Sequence, residues 1–230
     1  MRLSVIIPCF NDTAALRECL TGLAQRPPDV EIIVADASDT PECFDLAESM
    51  GAVAVYCSQR GRGPQMNAGA AATTGDVLIF NHCDTALDTK HLDAIRQCLR
   101  LDHPPNLAGA FYKSTPHHYP ILAWADSLIR FWVREWGAIY GDQTMFFRRD
   151  HFQKLGGFPD IPLMEDVAMS RKMRDAGGLQ FLDPPVETSL RRFQRHGYLR
   201  TRLVNFLFVW LFNRGVPAEK LYLWYYGRRD

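Results

Sequence analysis

The run Asp76-Val-Leu-Ile-Phe-Asn-His-Cys-Asp-Thr85 decides how this chain folds and where its chemistry lies. Apolar, strand-forming residues at 77–80 give way abruptly to His82, Cys83 and Asp84. A short apolar run bounded by polar residues reads as a buried strand. In an open α/β sheet, ligands bind outside the carboxyl ends of such strands. Asp84 therefore either faces a ligand there or caps the helix that follows, a common use of Asp. Just upstream, Gly61-Arg-Gly-Pro-Gln-Met-Asn-Ala-Gly-Ala70 is a glycine-punctuated turn leading into a helix of small residues. Together the two segments point to a strand-end carboxylate opposite an anionic ligand, joined through a metal.

The same rhythm extends on both sides. Apolar runs at 3–8, 30–36, 52–57 and 107–112 read as further strands. Helices are expected at 13–25, with leucines at 16, 20 and 23 on one face, from Thr40-Pro41 onward, at 64–73 and at 89–101. Strands separated by helices predict an α/β fold with a mainly parallel sheet. Beyond Lys113 the pattern becomes irregular: an aromatic-rich helical stretch at 119–138, a short strand at 144–148 and an amphipathic helix at 167–176. No low-complexity linker or repeat separates the halves. One domain is expected, with a nucleotide-type half at about 1–112, a more irregular half at about 113–202 and an apolar, basic helical tail at about 203–230.

A chain of 230 residues can bury a substantial core. Its formal charge is zero, which argues against a nucleic-acid footprint over the whole molecule. The charge is unevenly spread, however. From Ser189 onward there are nine Lys and Arg against Glu219 and Asp230, a net +7. This basic end also holds the most apolar run, residues 203–212. That run is expected either to pack as a core or dimer helix or to rest on an anionic membrane surface. No apolar run is long enough to span a bilayer. No signal peptide is expected ahead of the first strand, and the six cysteines form no zinc-type spacing. Free thiols and a cytoplasmic location, peripheral at the inner membrane face if the tail binds lipid, are the expectation.

Several polar groups fall at strand ends. Pro8-Cys-Phe10-Asn11-Asp12 offers an aromatic, an amide and an acid that either hold a base or cap the next helix. Asp36, at the end of the second expected strand, either reads a ribose or base or belongs to a capping cluster before Pro41. Arg62 and the glycine turn place positive charge and a helix N-terminus beside a phosphate site. The turn is neither a Walker loop nor G-x-G-x-x-G. Glu165-Asp166 supplies either a general base or two acids favoured by a helix dipole. Asp142 and Gln143 enter an apolar strand, and Arg191-Arg192 either meets a diphosphate or lies on a solvated face. His117-His118 reads as a surface or acceptor-rim pair rather than metal ligands.

The order of these signals resembles the family 2 glycosyltransferases. The runs GRGPQMNAGAAATTGDVLIFNHCDT and GDQTMFFRRDHFQKLGGFPDIPLMEDVAMSRKMRDAG carry the likeness, which covers about the first 200 residues and is similar to a bacterial selenodomain- or radical-SAM-associated subgroup. The resemblance implies a GT-A fold, a Rossmann-like nucleotide half continuous with a mixed acceptor half. It also implies a nucleotide-sugar donor of UDP or GDP type, Mg²⁺ or Mn²⁺, and inversion at the anomeric carbon. The acceptor is unidentified, with a lipid-linked one among those considered.

By the same resemblance, Pro8, Phe10, Asn11, Asp12 and Asp36 match positions around the base and ribose. Arg62, Gln65, Asn67 and Cys83 flank the nucleotide. Asp84 matches the last acid of the D-x-D metal motif, with His82 where the first Asp would stand, so the metal rests on Asp84 and the diphosphate oxygens or also uses His82. Asp166 matches the acid proposed as base, with Glu165 its neighbour. Asp142, Gln143, Arg191 and Arg192 fall on the acceptor and diphosphate side. Asp12 replaces a commoner Glu, and Pro64 interrupts the basic pattern of the loop. A sugar nucleotidyltransferase and a non-catalytic nucleotide-sugar sensor are the alternatives. The first would need a basic glycine loop where Cys9-Phe10-Asn11-Asp12 stands, and the second would have no use for Glu165-Asp166.

Overall fold

Strand β1 (Leu3–Cys9) is buried at every residue and lies between two parallel neighbours, β2 (Val30–Asp36) and β4 (Val77–Phe80). Strand β3 (Val53–Tyr56) extends the sheet beyond β2, also parallel. Helices α1 (Thr13–Gly22), α2 (Glu42–Ser49) and α3 (Arg62–Ala71) connect these strands. Fully buried parallel strands need both faces covered. α1 and α2, with α4 (Thr89–Arg100), cover one face over Leu16, Leu46 and Ile95. On the other face α3 packs through Met66 and Ala70. The computed structural model of the chain describes residues 1–100, 107–114, 130, 139–177, 179–189 and 198–227.

After β4 the sheet changes character. Strands β5 (Thr85–Ala86), β6 (Ala108–Ser114), β7 (Met145–Arg148) and β8 (Leu179–Thr188) complete one sheet in the order β3-β2-β1-β4-β7-β6-β8-β5. β7 runs antiparallel to both β4 and β6, β8 runs parallel to β6, and β5 antiparallel to β8. The mainly parallel expectation thus describes the first half, and the second half is mixed. The physical reason is connectivity. β7 enters the sheet beside β4 from the ligand end, so it must run backwards. Helices α5 (Arg149–Lys154) and α6 (Glu165–Ala176) pack below it through Phe152, Met169 and Met173, beside Phe158 of the intervening loop. Helices α7 (Tyr198–Asn213) and α8 (Ala218–Tyr226) form an antiparallel pair against the start of α6.

Element boundaries shift where backbone chemistry overrides periodicity. α3 begins at Arg62 rather than 64, because Gly61 turns the chain at φ 138° and Pro64 is tolerated in a first turn. α6 begins at Glu165, after Met164 in the left-handed region (φ 70°). β8 is not apparent in the sequence because Pro184-Pro185 interrupts it, a pattern that ordinarily demotes a strand. The helical stretch expected at 119–138 lies outside the described residues except for Arg130.

Candidate functional site

Two loops leave the carboxyl ends of β1 and β2 and are tied together. Asn11, at φ 50°, donates its backbone N–H to Ser38 Oγ (2.8 Å) and its Nδ2 to Asp39 Oδ2 (2.7 Å), and accepts from Asp39 N at Oδ1 (3.0 Å). Asp36 is buried and accepts through Oδ1 from Ser38 N (3.0 Å) and Ser38 Oγ (2.5 Å). Asp12 caps α1 by accepting from Ala15 N (3.1 Å). Phe10 follows Pro8 and the buried Cys9 and is exposed, with the Arg60 guanidinium 4.9 Å above its ring and Arg60 paired with Asp39. Cys83 hydrogen-bonds Cys9, which together with burial pushes the Cys9 thiol up.

α3 joins this side to the other half. Gln65 is buried and donates Nε2 to Cys9 O (2.7 Å) and Ala35 O (2.8 Å), clasping the ends of β1 and β2. Asn67 donates to Phe158 O (2.8 Å) and accepts from Phe158 N (2.9 Å), which fixes the loop leading to α6. Arg62, half exposed, places Nη1 3.9 Å from Glu165 Oε1.

The end of β4 meets the start of β7. Asn81 is buried and donates Nδ2 to the carbonyls of His82 and Thr85 (both 3.0 Å), while Thr144 donates its hydroxyl to Asn81 Oδ1 (2.6 Å). A 3₁₀ turn, Gly141–Gln143, precedes β7. Gln143 donates to Phe111 O (3.1 Å) and accepts from Tyr140 N (3.0 Å), and Asp142 pairs with Lys113 on β6. Gly141 donates its N–H to Asp166 Oδ2 (2.7 Å), while Val167 N donates to Asp166 Oδ1 (2.7 Å). A Cβ on Gly141 would lie 2.5 Å from His82 Cε1 and 2.7 Å from Nε2, so only glycine fits between that ring and Asp166.

These groups form one electrostatic unit. Burial, then the Asp166 charge, pushes Glu165 up to about 7 against the pull of Arg62. Burial also raises Asp166, although the Gly141 N–H and Arg62 oppose it. His82 is pushed down to about 4, first by burial and then by Arg62, and is neutral near pH 7. Burial alone would raise Asp142, but Lys113, His82 and Arg62 bring it below the usual carboxylate range. Burial likewise disfavours charge on Arg62, but Glu165, Tyr226, Asp166 and Asp84 outweigh it and raise its pKa.

Asp84 does not cap a helix. α4 starts at Thr89, and Asp84 is exposed just before β5, its carbonyl accepting from Ser189 N (2.9 Å). A hard divalent cation takes oxygen ligands and retains water. One open carboxylate, with oxygens of an anionic ligand completing the set, would fit that requirement. His82 Nε2 is buried without a hydrogen-bond partner and packs beside Gly141, so in this arrangement it does not share an open coordination position with Asp84. Among the described residues, the cluster of three groups close enough to hold an ion is instead Cys9, Asp36 and Cys43, buried at the β1–β2 end. All six cysteines are free.

Glu165, Asp166, Arg62, His82, Asp84 and Asp142 are thus brought together, with Asn11, Asp12, Asp36 and Phe10 on the adjoining loops. Gln65, Asn67 and Gln143 spend side-chain hydrogen bonds on backbone, as ties between elements. Arg191, Arg192 and the pair His117-His118 lie outside the described residues. Lys113, Arg60 and Tyr226 join the site without having been singled out in the sequence, whereas Gly141 was visible there only as the residue leading Asp142 and Gln143 into an apolar strand. A surface depression of about 590 Å³, lined by Met1, Asp76, Arg148 and Arg149, lies at the amino ends of β1 and β4, at the other end of the strands from these groups.

Residues 4–156 match the profile of glycosyl transferase family 2. The chain is 33% identical over 103 residues to 4,4'-diaponeurosporenoate glycosyltransferase of Staphylococcus haemolyticus, covering 41% of this chain and 28% of that protein. It is 26% identical over 196 residues to the O-antigen chain rhamnosyltransferase WbaN of Salmonella anatum, covering 76% and 61%. The chain therefore spans between about a quarter and three fifths of the length of these curated relatives. Among solved structures, the mannosyltransferase PcManGT of Pyrobaculum calidifontis, in complex with GDP-Man and Mn²⁺, superimposes with a TM-score of 0.66 at 20% identity, covering 90% of this chain and 62% of that one. The fold is GT-A.

Proposed function

The chain belongs to glycosyl transferase family 2, and on that footing we propose that it moves a sugar from a UDP- or GDP-type nucleotide sugar to an acceptor hydroxyl by direct displacement with inversion. The observation that carries this reading is the 2.7 Å bond from Gly141 N–H to Asp166 Oδ2, which holds the α6 acid pair against the His82–Asp84 end of β4. The family match ends at 156, so the role given to Glu165-Asp166 rests on this geometry.

Asp166 is the general base. Backbone N–H groups fix both of its oxygens, and burial raises its proton affinity, as a base working near neutral pH requires. It takes the acceptor hydroxyl proton as that oxygen attacks the anomeric carbon. Glu165 holds Arg62 beside the place where the diphosphate leaves, and Arg62 stabilises the departing charge. A divalent cation, Mg²⁺ or Mn²⁺, held by Asp84 and the diphosphate would supply further charge neutralisation. Phe10, Asn11, Asp12 and Asp36, with Pro8 and Cys83 behind them, form the wall for base and ribose. Gln65 and Asn67 support that wall from α3, and Asp142, Gln143, Arg191 and Arg192 belong to the acceptor and diphosphate side.

The decisive experiment is a donor screen with Mg²⁺ and Mn²⁺ that measures nucleoside diphosphate release and sugar transfer. Asp166→Asn should abolish transfer while donor binding by calorimetry persists. Full transfer by this variant would overturn the base assignment, and release of pyrophosphate from a nucleoside triphosphate would overturn the reaction class.

A further inference from the structure

The helical pair α7–α8 is apolar on two sides, but the fold uses only one. On the inner side Phe208, Val209 and Leu221 pack against Leu163, Met164 and Val167, around the first turn of α6. On the outer side Leu203 (60% exposed), Phe206 (68%), Leu207 and Trp210 face solvent. Their spacing of i, i+3, i+4 and i+7 forms one continuous stripe along α7. α8 adds Leu223, Trp224 (54% exposed) and Tyr226. Scattered exposed apolar residues are ordinary, but a contiguous patch of leucine and tryptophan marks a contact surface.

The charges around this stripe identify what it touches. Among the described residues of α7, α8 and the turn between them, Arg200, Arg214 and Lys220 are exposed against one exposed acid, Glu219. The Arg214 guanidinium lies 4.7 Å over the Trp210 ring and the Lys220 ammonium 5.1 Å over the Trp224 ring. Tryptophan beside a cation whose stem can reach upward is the chemistry of a bilayer's headgroup layer. The chain from Ser189 onward is net +7 and the remainder −7, so an anionic surface attracts this end and repels the rest. A second copy is a poorer occupant, because a two-fold contact sets each patch against itself and its cations against their own copies. No helix among the described residues is long and apolar enough to cross a membrane, so the contact is in-plane.

We propose that the outer face of α7–α8 docks on an anionic phospholipid surface, with Phe206, Trp210 and Trp224 in the headgroup–acyl boundary and Arg200, Arg214 and Lys220 on phosphates. The inner side of the same pair packs on Leu163, Met164 and Val167, which flank Glu165 and Asp166. The docked pair therefore borders the candidate site. An acceptor carried in the lipid layer would reach Glu165-Asp166 without leaving the surface.

The test is co-sedimentation of the full chain with vesicles of phosphatidylglycerol and phosphatidylcholine, and with phosphatidylcholine alone. Binding should require the anionic lipid and weaken with salt, and brominated phospholipids should quench tryptophan emission. Two double variants, Phe206→Ser with Trp210→Ser and Arg200→Glu with Arg214→Glu, should each lower vesicle affinity by roughly tenfold or more. Both should keep the parental thermal transition and donor binding, since these side chains are exposed and outside the site. No binding to anionic vesicles, or binding equally strong in both variants, overturns the proposal. So does a concentration-dependent dimer that the Phe206/Trp210 variant abolishes while vesicles leave the parent unbound. Donor binding is read separately, so failure here leaves the glycosyltransferase assignment standing.

Discussion

Asn67 on α3 and Phe158 in the loop before α6 exchange two hydrogen bonds, Nδ2 to O at 2.8 Å and N to Oδ1 at 2.9 Å. One side-chain amide thereby fixes the distance between α3 and the segment that delivers Glu165 and Asp166. Asn67→Ala should leave both backbone groups of Phe158 unsatisfied, at a cost of about 1–3 kcal/mol of stability. It should also lower kcat by roughly ten- to a hundredfold through misplacement, with a smaller change in donor KM. Steady-state kinetics beside a denaturant melt would check this. A variant that lost stability but kept its kcat would show that the bond serves the fold alone.

Glu165 makes stability depend on pH in a definite direction. Below its ordinary value of 4.5 the group is protonated in both folded and unfolded chains, and its burial costs little. Between there and about 7 the unfolded chain releases a proton that the folded chain keeps, so stability falls as pH rises. Glu165→Gln removes this penalty, which amounts to up to about 3 kcal/mol above neutrality. The variant's Tm advantage over the parent should therefore be larger at about pH 8 than at about pH 5. An advantage constant with pH would contradict it.

Gly141→Ala tests the wedge between His82 and Asp166. The new methyl would lie 2.5 Å from His82 Cε1, so either the ring or the 3₁₀ turn must shift, and with the turn goes the N–H that holds Asp166. Transfer should fall by roughly a hundredfold. Nucleotide affinity should change little, because Asn11, Asp36 and Gln65 are tied elsewhere.

Asp84 and His82 should respond differently to cations. Asp84→Asn should raise the Mn²⁺ concentration needed for half-maximal activity by roughly tenfold or more. His82→Asn should leave that concentration nearly unchanged, since Nε2 packs beside Gly141 rather than into the open side of Asp84. Chelation should abolish turnover in the parent, and calorimetry should find cation binding strengthened by nucleoside diphosphate. An equal effect of both substitutions would make His82 a ligand.

The sequence is legible where local pattern and tertiary role agree. Val77–Phe80 reads as a buried strand and is one, because four apolar residues between polar brackets leave little alternative. The carboxyl-end placement of Asp36 and Asp84 follows from the same logic. β8 is hidden because Pro184-Pro185 contradicts its strand pairing locally, and its partners β6 and β5 make the assignment possible. Lys113 is hidden for a different reason: its pairing with Asp142 joins β6 to the 3₁₀ turn before β7, and no periodicity announces it. Gln65 and Asn67 are visible as polar residues on a small-residue helix, but their hydrogen bonds to Cys9, Ala35 and Phe158 depend on non-local geometry. A motif gives the residue type, whereas its partner is a property of the packed chain.

Thr144 and Asn81 determine something the core leaves ambiguous. In β7, Met145 and Phe147 face one hydrophobic cluster while Phe146 faces the other, so apolar side chains fill both faces. Sliding this strand by one residue would exchange one greasy surface for another, a weak penalty where alternation normally enforces alignment. The 2.6 Å bond from Thr144 Oγ1 to Asn81 Oδ1 acts as an index mark. It sets Met145 opposite Phe80 and so brings Gly141 opposite His82. The alignment of the turn that holds Asp166 with the end of β4 is thus keyed by a single hydroxyl, and a Thr144→Val chain would keep its oily interior while losing its place.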